Sequence, residues 1–270
     1  DNHVKEDSRR EVISGHEIFA RSFRLRATEF VNETRDRAST CAGPYSSTNL
    51  DALRRRAYEA VEGVARWFED PSHGLTAQEP TIVVLTDARG RVLARNLDER
   101  HNSAGQNLTE SLPGLERVLR DGRSRFDVWH RASQQNYLGT AIAPVRAADQ
   151  SIIGALVVGY DLSNGMLGEE AALIDSDIAV ITARNVYSSS LESARASALQ
   201  QRLFEDGDSR RRVEAALEDG DDGAASSPWS FELTGHSYVA VVAPLPMTPS
   251  AEVAYVVLTD ITAAEGVMGW

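Results

Sequence analysis

This 270-residue chain repeats itself once, and the repeat limits what it can fold into. Ile82-Val-Val-Leu-Thr returns as Ile178-Ala-Val-Ile-Thr, and Leu115-Glu-Arg-Val-Leu-Arg-Asp-Gly122 returns as Val213-Glu-Ala-Ala-Leu-Glu-Asp-Gly220. Tyr137 through Pro144 returns as Tyr238 through Pro244, and Ile153 through Leu162 returns near Val253 through Ile261. The offsets run from about 96 to 100 residues and the order is kept. That period is far longer than a solenoid repeat, so it implies two copies of one small domain.

Within the first copy, Thr81–Thr86 and Arg91–Arg95 flank Asp87-Ala-Arg-Gly90, which predicts a β-hairpin. A polar loop over 97–110 leads to a short helix that opens near Leu112-Pro113 and stops at Gly122. Strands follow at 125–129, 136–144 and 152–161. The order strand, strand, helix, strand, strand, strand with short links predicts an α+β fold, each copy a mainly antiparallel sheet with flanking helices. In the second copy, Asp206-Gly-Asp and Glu218-Asp-Gly-Asp-Asp-Gly read as exposed loop.

Two helices precede the repeat. Val12, Phe19, Phe23, Ala27, Phe30 and Thr34 recur at helical spacing, so residues 5–38 read as one long amphipathic helix interrupted only at Gly15. It is expected to serve as a stalk, or to lie lengthwise on a sheet. Leu50, Leu53, Ala57, Val61, Val64 and Phe68 mark a second helix over 49–69, capped by Thr48 or Asn49. The expected division is 1–78 for the two helices, 79–165 for the first copy, 166–262 for the second and 263–270 for an exit segment.

Charge and motif content remove several functions. Lys and Arg total 28 against 40 Asp and Glu, a net charge of −12, which argues against a nucleic-acid partner. Cys41 is the single cysteine and the six histidines are scattered, so neither a disulfide nor a metal site is expected. No nucleophile elbow, P-loop or dinucleotide fingerprint occurs, and neither catalytic residues nor a cofactor is expected. The uncharged run Tyr238–Ala251 is broken by three prolines and cannot span a membrane. With no initiator methionine, the chain reads as a soluble piece of a longer protein.

A long helix, a second helix and two tandem PAS-like units together resemble the double Cache sensor regions of bacterial two-component histidine kinases and chemoreceptors. The resemblance rests on Val84-Leu-Thr-Asp87-Ala-Arg-Gly90-Arg-Val-Leu-Ala, on Leu112-Pro-Gly-Leu115 with Gly122, on Ala143-Pro-Val145, and on Ile153-Gly-Ala-Leu-Val-Val-Gly159-Tyr-Asp161-Leu. It implies an extracytoplasmic (periplasmic) domain of an inner-membrane receptor, working as a homodimer and joined to the membrane through segments outside this sequence. Trp270 would then lie near the membrane interface. It also implies that a small molecule binds the membrane-distal first copy. Asp161 stands where amino-acid-binding members hold the ligand's amine, although Asp260 stands in the matching place of the second copy. Where those members carry Arg-x-Trp-Tyr, this chain has Asp127-Val-Trp129-His130.

Strand alternation nominates further pocket residues. Arg125, Asp127 and Trp129 share one face of their strand; Tyr137, Gly139, Ala141 and Ala143 share one of the next, where small side chains leave room for a ligand or for a packed helix. The expected ligand-binding residues are therefore Arg125, Asp127, Trp129, Tyr137, Tyr160 and Asp161, with Arg95 and Arg131 as further candidates for holding a carboxylate. The expected ligand is a small carboxylate, an amine or an amino-acid-like molecule. A ligand-free docking or dimerisation module that reads a periplasmic protein is the alternative.

Overall fold

The computed structural model describes residues 2–73, 80–220, 224–248 and 253–266. The chain groups into two compact units, Arg26–Asp161 and Asp1–Leu25 with Leu162–Trp270. Helix α1 (Asn2–Ala38) contributes residues to both.

The first unit holds β1 (Ile82–Asp87), β2 (Val92–Arg95), β3 (Arg125–Arg131), β4 (Asn136–Arg146) and β5 (Ile152–Asp161). They form an antiparallel sheet in the order β2-β1-β5-β4-β3. The β1–β2 turn forms because Asp87 Oδ1 accepts the amides of Arg89 and Arg91 at 2.8 and 3.0 Å, with Gly90 at φ 81°. Helix α2 (Leu50–Glu69) starts where the Asn49 side chain accepts the amides of Asp51 and Ala52. The short helix α3 (Pro113–Asp121) has proline in its first turn and ends at left-handed Gly122, φ 71°.

Antiparallel sheets commonly leave one face to water; this one buries both. On one face Val83, Leu85, Ala143, Leu156 and Val158 pack against Ala57, Val61, Val64 and Phe68 of α2 and Ala38 of α1. The small side chains of β4 thus lie under helices rather than under open space. Gly139 on that face admits the Tyr160 ring; a Cβ there would sit 2.8 Å from Tyr160 Cζ. On the opposite face Ile82, Val84, Trp129, Leu138, Ile142 and Val157 pack against Leu115 and Val118 of α3 and against Leu108 and Leu112 of the preceding loop.

The second unit repeats the plan with β6 (Asp177–Ile181), β7 (Val186–Ser189), β8 (Trp229–Leu233), β9 (His236–Pro244) and β10 (Ala254–Asp260), in the order β7-β6-β10-β9-β8. A helix α4 (Asn164–Ile174) precedes β6, and two 13-residue helices, α5 (Ser193–Glu205) and α6 (Gly207–Asp219), replace the single α3. Their Leu199, Leu203, Val213 and Ala216 cover Phe231, Tyr238, Ala240 and Leu258. Asp206-Gly-Asp is not the exposed loop expected from the sequence. Asp206 Oδ2 accepts the Ser209 amide at 3.0 Å and its hydroxyl at 2.8 Å, so it caps α6. Glu218 and Asp219 belong to α6, whereas 221–223 and Trp270 lie outside the described residues. Among the described residues no helix is long and apolar enough to cross a membrane.

Two contacts are testable. In the first unit the Tyr45 hydroxyl donates to the Thr86 carbonyl at 2.5 Å, in the space beside Gly154. A Cβ at 154 would collide with both groups. Gly154→Ala is expected to lower stability by about 2 kcal/mol in urea unfolding, through overpacking. In the second unit the Tyr255 hydroxyl is hydrogen-bonded with His16 Nδ1 at 2.5 Å, and the Tyr255 ring packs on Phe19 at 4.6 Å. Burial holds the His16 imidazole below its ordinary 6.5, with Glu17 opposing. The unfolded chain therefore takes up that proton first, and stability falls as pH drops through 6.5 until the folded imidazole also titrates. Urea midpoints against pH should show this component in the parent chain and lose it in His16→Gln.

Candidate functional site

Helix α3 is nine residues, about 14 Å long at 1.5 Å per residue. The ten-residue β5 beneath it spans about 33 Å. The helix cannot cover the face, and loop 96–112 and the β3–β4 turn enclose what remains. They leave a cavity of about 320 Å³. Its apolar wall is Ile82, Val84, Val92, Leu108 and Trp129. Its polar groups come from β2 (Arg95), the loop (Ser103, Gln106, Ser111), the end of β3 (His130, Arg131) and the turn (Ser133, Gln134).

Trp129 is 4% exposed and its indole N–H donates to Ser111 Oγ at 3.2 Å, which fixes the ring as a wall. The Arg131 guanidinium lies 5.8 Å from the centre of that ring, and Arg131 is 9% exposed. Burial, with Arg95 nearby, holds Arg131 below the ordinary arginine range, while Asp161 partly opposes. Arg95 has its Nε buried with no hydrogen-bond partner. Two guanidiniums share a half-apolar cavity, and neither forms an ion pair among the described residues. That arrangement can take an oxyanion from a ligand that also carries hydrocarbon.

The loop is held from within. Asp98 accepts from the amides of Asn102 and Ser103 and from the Ser103 hydroxyl. Leu97 and His101 adopt left-handed backbone at φ 61° and 59°, and Gln135 in the β3–β4 turn does so at 52°. Non-glycine residues in this region carry strain that recurs at ligand-binding loops.

The six nominated residues do not gather in one place. Pairing of β3 with β4 and of β4 with β5 puts Arg125, Asp127, Trp129 and Asp161 on the α3 face, and Tyr137 and Tyr160 on the helix-packed face. Only Trp129 of the six lines the cavity. Arg125 lies four residues from it along β3, roughly 14 Å, and pairs with Asp121 at 2.6 Å. Asp127 is 1% exposed, and its Oδ2 accepts the Gly114 amide of α3 at 3.1 Å. Tyr137 stacks on His130 at 4.3 Å, and Tyr160 meets Phe30 edge-on at 5.3 Å. Asp161 ends β5, and its amide donates to Thr81 Oγ1 at 3.1 Å. Of the two further arginines, both line the cavity. Ser103, Gln106, Ser111 and Gln134 were not foreseen; the polar loop over 97–110 was the one sign of them.

The same corner of the second unit carries buried Phe231, Leu233 and Tyr238. Register places Phe231, Leu233, Tyr238 and Asp260 where the first unit has Trp129, Arg131, Leu138 and Asp161. Tyr238 therefore matches Leu138, not Tyr137 as the repeat suggested; one residue of slip turns a side chain to the other face. Tyr238 is fully buried, and its hydroxyl accepts from Arg195 Nη1 at 3.1 Å. Arg195 Nη2 donates to His236 Nε2 at 3.0 Å, and His236 Nδ1 donates to Asp260 Oδ2 at 3.0 Å. Asp260 Oδ1 also accepts the Thr262 amide, so this aspartate is a structural cap.

Asp127 is thus an anchor for α3 beside the cavity. Asp127→Ala leaves the Gly114 amide without that acceptor and is expected to lower stability by about 1–3 kcal/mol in chemical unfolding, with the lining residues unchanged. Asp127→Asn, which keeps an acceptor, should recover most of the loss.

Comparison with known proteins bears on the fold. The chain matches the ligand-binding domain of the Pseudomonas fluorescens chemoreceptor CtaA in complex with L-leucine, at 15% identity and a TM-score of 0.56 over 98% of this chain and 100% of that one. It matches the periplasmic domain of Vibrio cholerae LuxQ at 12% identity and 0.56, over 92% and 98%. It matches the extracellular domain of the putative histidine kinase vpHK1S-Z8 at 10% and 0.54, over 99% and 97%. These likenesses establish a shared double Cache fold. No curated protein matches the chain in sequence. The family model described as the double sensory domain of two-component sensor kinase matches residues 73–264, well over half the chain, and the chain belongs to that family.

Proposed function

We propose that the chain is the extracytoplasmic ligand-sensing part of a transmembrane signalling receptor, and that the cavity of Arg95, Trp129 and Arg131 takes a small molecule carrying a carboxylate. The observation that carries this reading is a pair of guanidiniums that form no ion pair with a carboxylate among the described residues, Arg95 Nε among them buried and unsatisfied, in a cavity of ligand size. Membership of a sensory-domain family supports it, as do solved relatives crystallised with leucine and isoleucine.

Signalling follows from differential affinity. An anion drawing Arg95 and Arg131 together with loop 96–112 and the β3–β4 turn favours a closed arrangement of those segments. Its effect is limited by how much more tightly it binds that arrangement than the open one. The same sheet carries the core against α1 and α2 on its other face, and α1 also belongs to the second unit. A homodimer joined to the membrane by segments outside this sequence completes the proposal.

Thermal unfolding with a library of small carboxylates, amino acids and amines tests it. A ligand at 100 times its Kd adds about 2.7 kcal/mol, a rise of several degrees for a chain of this size. Gln106→Trp fills the cavity from an exposed loop position and should abolish the rise. A shift that survives Gln106→Trp places the ligand elsewhere. No shift across the library favours the ligand-free docking module instead.

A further inference from the structure

We propose that the first unit's cavity selects an organic carboxylate lacking an α-ammonium group over the corresponding amino acid. This rests on the cavity being the ligand site, and it concerns the charge of what enters.

Among the described residues that line the cavity, the charged side chains are Arg95 and Arg131, and no carboxylate is among them. A ligand carboxylate seated on these guanidiniums gains charge-assisted hydrogen bonds and supplies an acceptor for the buried Arg95 Nε. An amino acid seated the same way brings its ammonium into the same small space. There it would lose hydration and face two like charges, with serine hydroxyls, glutamine amides and an indole as its neighbours.

Two nearby acids stand outside the lining, and each acts by charge on one of the arginines, Asp98 on Arg95 and Asp161 on Arg131. Asp98 holds loop 96–112 through Asn102 and Ser103 and does not line the cavity. Asp161 sits at the end of β5, also outside the lining, and its charge acts on Arg131, where it offsets part of the cavity's positive field. The field that remains, together with the apolar wall of Ile82, Val84, Leu108 and Trp129, fits a carboxylate on a short hydrocarbon body.

Calorimetry on the 270-residue chain with two matched pairs tests this: 4-methylpentanoate against leucine, and succinate against aspartate. In a pair that binds, the member without the amine is expected to bind at least roughly tenfold more tightly. Arg131→Gln should weaken that carboxylate by at least roughly the same factor. Arg95→Glu should narrow or reverse the preference while melting with the cooperativity of the parent chain. Leucine or aspartate binding as tightly as its partner, and still lost in Gln106→Trp, overturns the selectivity and leaves the sensor reading standing. No binding by any of the four, or binding indifferent to Gln106→Trp, overturns both.

Discussion

A sheet that is apolar on both faces needs a cover on each, and the covers of the first sheet are unequal in length. The 20-residue α2 runs about 30 Å and, with α1, closes one face. On the other face α3 manages about half of that span. Loop 96–112 and the β3–β4 turn close over the rest without filling it, and they bring polar side chains and two arginines over an apolar floor. The cavity is thus a consequence of a helix too short for its strands, which is why it lies at the Trp129 end of β3 and not at the Arg125 end.

Duplication followed by unequal covering explains how one fold can hold two different parts. In the second unit α5 and α6 together supply nearly three times the helix that α3 does, and buried Phe231, Leu233 and Tyr238 occupy the matching corner. Leu138 gives way to Tyr238, Arg131 to Leu233, and an arginine reaching that corner is held by Tyr238 and His236. The aspartate that ends the last strand is kept in both copies. In the second its carboxylate is spent on Thr262 and His236.

Much of the architecture was legible in the residues because it is written locally. Asp87 with Gly90, Pro113 with Gly122, and Asn49 each specify a turn or a helix end through a backbone group that needs a partner. The repeat supplied the sheet. The site was less legible because it depends on which face a strand presents, and that is decided by pairing between strands. Tyr137 and Tyr160 carry suitable chemistry on the face that the helices cover. Asp127 shares a face with Trp129, yet it sits under the first turn of α3 and is used up by an amide. The loop residues that rim the cavity carry no periodicity and no motif. The second copy's α5 has no counterpart in the first copy, so the repeat does not foretell it.

The corner walled by Trp129 in the first unit and its counterpart in the second differ in their side chains, and the tryptophans report on each separately. Trp129 walls the cavity, while Trp229 is fixed in the second core, its indole N–H donating to Ser209 at 3.1 Å. Two-dimensional NMR of the indole N–H groups during titration with 4-methylpentanoate reads both at once. The account predicts that the Trp129 resonance moves and saturates while that of Trp229 stays in place. Movement of the Trp229 resonance with Trp129 unmoved would contradict it.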